Sequence, residues 1–273
     1  MNTTKPMYPE HSLYRHYTER LIDHSASPAF PDFTKRATLE NMNYAINLCE
    51  AWDLFLDIGG GSGHYAAGLS GMFKRGEVIE VEDVAEQKEL VRRYPNLSVT
   101  RTLVENYAGT EKADFILLAD VFEHIVDIHT FVAQISALQS KDAVVYIMTP
   151  NPVFCGPVSE SGLHHSRKLY GHIKHYTTGE ICSIMRKNGY ELQFLVYEET
   201  PLRQMVKRWR SAISRRDTAW KGKLAYRLIR PLALILLKPV MFLAERATYR
   251  SEVRARGNQF ATMTQDLAFK KTS

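Results

Sequence analysis

The chain predicts an α/β fold: a doubly wound, largely parallel sheet with helices packed on both faces. Two observations predict it. Apolar strand-like runs alternate with segments of helical period from residue 38 to residue 197, the order expected of strands joined by crossover helices. The first of these runs, Leu54-Phe55-Leu56-Asp57-Ile58, opens into a turn rich in glycine, Gly59-Gly60-Gly61-Ser62-Gly63. Sheets of this kind collect ligands at the carboxyl ends of their strands, near the reversal of strand order, and that is where the turn falls.

Residues 1–37 carry Tyr8, Tyr14, His16, Tyr17, Phe30 and Phe33 without a steady period, and are expected to cover the site as an N-terminal cap. From Thr38 to Cys49 the apolar positions Leu39, Met42, Ala45, Ile46 and Cys49 fall three and four apart, the stripe of a helix that packs on a sheet. The pattern then predicts strand 53–58, helix 63–72, strand 77–82, helix 84–93, strand 97–101, strand 114–119, helix 128–138, strand 143–149, helix 178–188 and strand 190–197. Near the end, Ala261, Met263, Leu267 and Phe269 alternate with Thr262, Thr264 and Asp266, the period of a strand. The catalytic domain is therefore read as 38–200 plus 259–273, with 201–258 inserted before the last strand.

Spacing in the turn discriminates between ligands. A dinucleotide fingerprint sets its glycines two and then three apart, which would require a third glycine where His64 stands. Here Gly59, Gly61 and Gly63 are evenly two apart. Lacking Cβ atoms, they admit a nucleotide-like ligand close to the main chain, and Asp57 supplies an acceptor at the end of the strand.

This D-x-G-x-G-x-G turn resembles the first motif of the class I S-adenosylmethionine (SAM)-dependent methyltransferases, and four later segments match in order. Val78-Ile79-Glu80-Val81-Glu82 is similar to the second strand with its terminal acid. Asp114 to His124 ends in the D-x-x-E-H form of the small-molecule and quinone-type O-methyltransferase branch, and Ala143 to Asn151 carries its Thr149-Pro150-Asn151 ending. His175 to Glu180 with Met185 to Tyr190 resembles the helix that leads into the sixth strand. The likeness spans roughly residues 35–198. It implies a seven-stranded Rossmann-like sheet whose antiparallel last strand slots between the fifth and sixth, and Asp266 to Lys271 resembles the close of that strand.

The resemblance also implies roles. SAM is the expected cofactor, held by Asp57, Gly59, Gly61, Gly63, Glu82, Asp120 and Val121. Glu82 is expected to accept the ribose hydroxyls, since a carboxylate offers the paired lone pairs that a cis-diol requires; Glu80 and Asp83 stand close enough to take its place. Methyl transfer from a sulfonium is an in-line displacement, so the protein mainly orients the reactants and supplies a base where the acceptor is a hydroxyl. His124, an imidazole of the kind that serves as a general base, and Glu123 are the candidate catalytic pair. The competing reading makes them braces of the loop. His164, His165, His172 and His175 are expected to overhang the acceptor, and because their spacing matches no metal motif, no metal is assigned.

Charge divides the chain. The net charge is +5, yet residues 201–258 hold fifteen Lys or Arg against three acids, leaving the remainder acidic. Arg203, Lys207, Arg208, Arg210, Arg215 and Arg216 surround Met205, Val206, Trp209 and Ile213, and an apolar run from Leu228 to Ala244 follows, broken by Arg230, Pro231, Lys238 and Pro239. A spanning helix needs about 20 mostly apolar residues, so the insertion is read as lying on an anionic membrane surface; packing into the core or a dimer interface is the plainer alternative. The N-terminus lacks the apolar core of a signal peptide, and Cys49, Cys155 and Cys182 form no disulfide framework, so a cytoplasmic enzyme, peripheral on the inner membrane face, is expected. The acceptor is read as a membrane-associated or lipid-linked small molecule, a saccharide or a quinone precursor. Two rivals stand beside this: a non-catalytic scaffold of the same fold, and an RNA methyltransferase that uses the basic insertion. Nucleic acid is not the expected partner, because the apolar run argues against it and the amino-methylation motif after the fourth strand is missing.

Overall fold

The computed structural model describes residues 36–153, 171–203, 205, 206, 240, 243, 244, 246–260 and 262–272. The N-terminal cap (except its last two residues), His164, His165, Cys155 and most of the insertion lie outside the described residues. Helix α1 (Arg36–Ile46) leads into β1 (Leu54–Ile58), α2 (His64–Leu69), β2 (Arg75–Glu80), α3 (Glu86–Arg93), β3 (Leu97–Arg101), β4 (Ala113–Ala119), α4 (Ile128–Leu138), β5 (Gln139–Pro150), α5 (Thr178–Lys187), β6 (Tyr190–Glu198) and β7 (Thr264–Lys271). The strands form one sheet in the order β3-β2-β1-β4-β5-β7-β6. Strands β1 to β5 pair in parallel, and β7 runs antiparallel to both β5 and β6, as the sequence led us to expect.

Alternation along fully covered strands fills two cores. In β4, Phe115 and Leu117 face α1, α2 and α3, against Leu39, Met42, Ala67 and Leu90, whereas Ile116 and Leu118 face α4 and α5, against Phe131, Ile135, Ile181 and Met185. Both faces of such a strand must be apolar, which is why β4 reads as one unbroken hydrophobic run. Two helices are capped by local chemistry. Asp127 accepts from the Thr130 amide at the start of α4, and Thr177 and Glu180 form a reciprocal capping box at the start of α5, each satisfying N–H groups that the helix leaves open.

The last strand begins later than its alternation suggested. Met263 precedes it, Ala261 lies outside the described residues, and the Asn151 side chain donates to the Gln259 and Thr262 carbonyls just before the strand, at 2.6 and 3.0 Å. The described ends of the insertion are helical at 201–203, 205, 206 and 246–255, and buried polar groups tie them to the sheet. Arg203 Nη1 lies 3.2 Å from Glu198 and 3.8 Å from Glu252, and Glu252 accepts from the Glu199 and Thr200 amides at 2.7 and 2.8 Å. Asn41 bridges Glu198 to Asp266, and the Tyr146 hydroxyl donates to Asp266 at 2.7 Å. Among the described residues no helix is long and apolar enough to cross a membrane.

Burial, and then the charge of Glu198, hold the Asp266 carboxyl well above the usual range. The folded chain therefore keeps a proton that the unfolded chain releases, so this group's contribution to stability is complete below about pH 4 and declines as pH rises above it. Asp266→Asn should reduce the loss of stability between pH 5 and pH 8, by up to about 1.4 kcal/mol per pH unit within the window where the proton is retained. Urea unfolding at several pH values reads this slope directly.

Candidate active site

The glycine turn is built by its neighbours. Gly59 donates to the Ile79 carbonyl at 2.7 Å, Gly63 to that of Gly60 at 2.9 Å, and both take positive φ, as does Gly61. A Cβ on Gly59 would lie 2.6 Å from Val121 Cγ2, and one on Gly63 would lie 2.3 Å from Leu90. These two glycines let β4 and α3 close on the turn. Gly61 differs, because a Cβ there would meet nothing within 4 Å. Its open face is the surface that a ligand can reach.

Glu80 holds that face in place. At the last position of β2 its Oε2 accepts from the Gly61 amide at 2.8 Å, while Oε1 accepts from the Val81 and Glu82 amides at 2.7 and 3.2 Å. Gln87 completes the clasp by donating to the Gly61 carbonyl at 2.7 Å. The acid at the end of β2, beside the turn, is Glu80: the strand expected to run to residue 82 stops two residues earlier, and Glu82 is exposed. The register of β2 on β1, with Ile58 opposite Ile79, sets that end. Asp57 lies below the turn. It is fully buried, and a Cβ on Gly60 would touch its carboxylate at 2.8 Å, so Asp57 supports the turn from beneath.

Across the cleft, Asp120 leaves β4 with φ 56° and donates to the Met148 carbonyl at 2.9 Å. Phe122–His124 follow as a 3₁₀ turn. The residues of Thr149-Pro150-Asn151 divide the work: Thr149 donates to Glu123 Oε2 at 2.9 Å, and Asn151 fastens the Gln259 and Thr262 carbonyls. The Ile173 and Lys174 amides both donate to the Glu123 carbonyl, at 2.8 and 3.3 Å, which lays the returning segment 171–177 over the 3₁₀ turn. His172 and His175 arrive with it. His124 Nδ1 lies 3.3 Å from the Gly171 carbonyl, His172 Nδ1 lies 2.7 Å from His175 Nε2, and His172 Nε2 lies 3.9 Å from Glu123 Oε1.

Burial is the main force on these groups. Burial, followed by the charge of Asp120, pushes the Glu123 carboxyl up to about 8. Burial, then the neighbouring rings, pushes His172 down to about 4, and burial also lowers His175, so both rings are neutral near pH 7. The structure therefore gathers Glu123, His124 and His172, with one ligand-type atom from each within 4.8 Å of the other two. The sequence reading missed this convergence because it compared spacings only within the histidine-rich loop, and neither Glu123 nor His124 belongs to that loop.

Residues 14–194 match the family model described as "Methyltransferase domain". The chain belongs to the methyltransferase domain family. It is an enzyme of that family, and its cofactor is SAM. Solved structures share the fold at low identity. Coclaurine N-methyltransferase, bound to N-methylheliamine and S-adenosylhomocysteine, aligns at 15% identity and TM-score 0.59 over 98% of this chain and 88% of its own. Phosphoethanolamine N-methyltransferase 2 of Haemonchus contortus, in complex with SAM, aligns at 15% and 0.56 over 94% and 60%. The N-methyltransferase NodS of Bradyrhizobium japonicum WM9 aligns at 12% and 0.52 over 88% and 97%. No curated protein sequence matches the chain.

The open face of Gly61 and the carboxylate of Glu80 suit a nucleoside. Glu80→Ala should weaken SAM binding at least tenfold, a loss of about 1.4 kcal/mol, whereas Glu82→Ala should leave it within twofold. Isothermal titration of the two variants beside the wild type separates them.

Proposed function

We propose that the chain transfers the methyl group of SAM to an oxygen of a small molecule that partitions to a membrane, such as a lipid-linked saccharide or a quinone precursor. The observation that carries the reading is the pairing, past the carboxyl ends of β1, β2 and β4, of the open Gly61–Glu80 cradle with the Glu123–His124–His172 cluster. Glu80 would accept from the ribose hydroxyls, Gly59 to Gly63 would offer main chain to the nucleoside, and Asp120 and Val121 would border the methionine end. Bound SAM supplies a methyl group on a positively charged sulfur that leaves as a neutral thioether. The chain's own residues orient the acceptor and manage its proton. As the acceptor oxygen forms its bond to the methyl carbon, the carbon–sulfur bond breaks and the hydroxyl proton passes to the ring of His124. His172 and His175, held over Glu123, would contact the acceptor; we extend that role to His164 and His165 on sequence grounds alone.

Transfer to nitrogen is a second reading, favoured by the names of the N-methyltransferases that share the fold. An assay with tritiated SAM against fractionated lipid and glycan extracts tests both. A labelled product whose methyl carbon has the chemical shift of an ether supports the first, an N-methyl shift supports the second, and no labelled product from any fraction contradicts both.

The membrane part of the proposal rests on the fifteen basic residues of 201–258 and the apolar run among them. Each Lys or Arg near an anionic surface contributes about 1 kcal/mol. Replacing Arg208, Arg210, Arg215 and Arg216 together by Gln should abolish flotation with anionic vesicles at physiological salt. Equal flotation of variant and wild type would discard the membrane claim.

A further inference from the structure

We propose that Glu123, His124 and His172 bind one divalent first-row transition-metal cation, of the zinc or manganese kind, at the position where the acceptor reacts. This rests on the reading of the cluster as the acceptor site, and it changes the role of His124 from free base to ligand. The convergence itself is the first support, because three side chains from two distant segments bring one ligand-type atom each to within 4.8 Å of the other two. The second is an unsatisfied acceptor. Glu123 is 1% exposed and its Oε1 has no hydrogen-bond partner, whereas Oε2 is occupied by Thr149. A buried carboxyl oxygen left without a partner is costly unless something donates to it or coordinates it. His172 Nε2 faces it at 3.9 Å.

Orientation of the rings is the third support. The Gly171 carbonyl can only accept, so His124 carries its proton on Nδ1 to make the 3.3 Å contact, and the lone pair is left on Nε2. If His172 likewise donates from Nδ1 to His175 Nε2 at 2.7 Å, its own Nε2 lone pair faces Glu123. Ligating histidines are commonly fixed in this way, through the nitrogen that does not touch the metal. Ligand atoms about 2.1 Å from a cation lie about 3–3.5 Å apart, so binding draws Nε2 and Oε1 together by less than about 1 Å. The main-chain bonds from Ile173 and Lys174 to the Glu123 carbonyl hold the two segments close enough for that movement.

Two imidazoles and one carboxylate suit zinc, manganese, iron or cobalt better than magnesium or calcium, which favour all-oxygen sets. Three protein ligands leave coordination positions open. An acceptor hydroxyl that takes one of them is acidified, releases its proton to water and presents its oxygen to the methyl group. The metal would thus select acceptors that offer an ionisable oxygen.

The test uses tag-free, full-length protein freed of metal with EDTA and titrated with Co²⁺, whose visible absorption reports coordination independently of catalysis. The wild type should saturate at one Co²⁺ per chain, with the signal displaced by Zn²⁺. Glu123→Gln and His172→Gln should each weaken Co²⁺ binding tenfold or more while SAM affinity, titrated on the same preparations, stays within threefold. No saturable signal from the wild type overturns the proposal whether or not a variant folds, and so does an unchanged titration in both variants. Failure of the wild type to bind SAM would instead strike the methyl-transfer reading, and the cobalt titration reads separately from it.

Discussion

The contact between the Glu80 carboxylate and the Gly61 amide joins the sheet to the ligand-binding turn, and the rest of the cleft is arranged around it. Gly61 can keep its positive φ and its open face only because β2 ends where its last acid reaches the turn, which follows from the parallel register of β2 on β1. Gly59 and Gly63 let Val121 and Leu90 press against the turn from either side. Asp57 beneath, Glu80 beside and Val121 opposite make the turn a fixed surface, and a fixed main-chain surface binds a nucleoside without first having to order itself.

A second constraint governs the opposite half of the site. Strand β7, antiparallel between β5 and β6, closes the sheet and places the buried Asp266 next to Glu198, Asn41 and Tyr146. Arg203 and Glu252 extend this polar layer into both described ends of the insertion. The described ends of the basic insertion are therefore rooted in the core beneath β5 and β6, and β5 also carries Thr149 to the cluster.

Much of this was legible in the sequence, because the informative signals are local. The period-2 runs, the glycine spacing, the capping residues of α5 and the strand order implied by the family resemblance all depend on neighbours within a few positions. The end of β2 was not legible for the same reason. Alternation in Val78-Ile79-Glu80-Val81-Glu82 allows either acid to end the strand, and the pairing with β1 ends it at Glu80. The convergence of Glu123, His124 and His172 was hidden because it needs the chain to return from β5 through the loop and lay residues 171–174 on the 3₁₀ turn. That return is fixed by two main-chain bonds to the Glu123 carbonyl, and main-chain bonds leave no trace in side-chain pattern. The start of β7 was read early because Met263 continues its alternation, whereas the preceding Gln259 and Thr262 carbonyls are engaged by Asn151, more than a hundred positions away.

A crystal structure of the full chain soaked with S-adenosylhomocysteine tests the central claim most directly. The account predicts density for the nucleoside over the open face of Gly61, both ribose hydroxyls within hydrogen-bond distance of Glu80, and the thioether sulfur facing the Asp120–His124 segment. Ribose hydroxyls bound by Glu82, or a nucleoside seated away from the glycine turn, would contradict it.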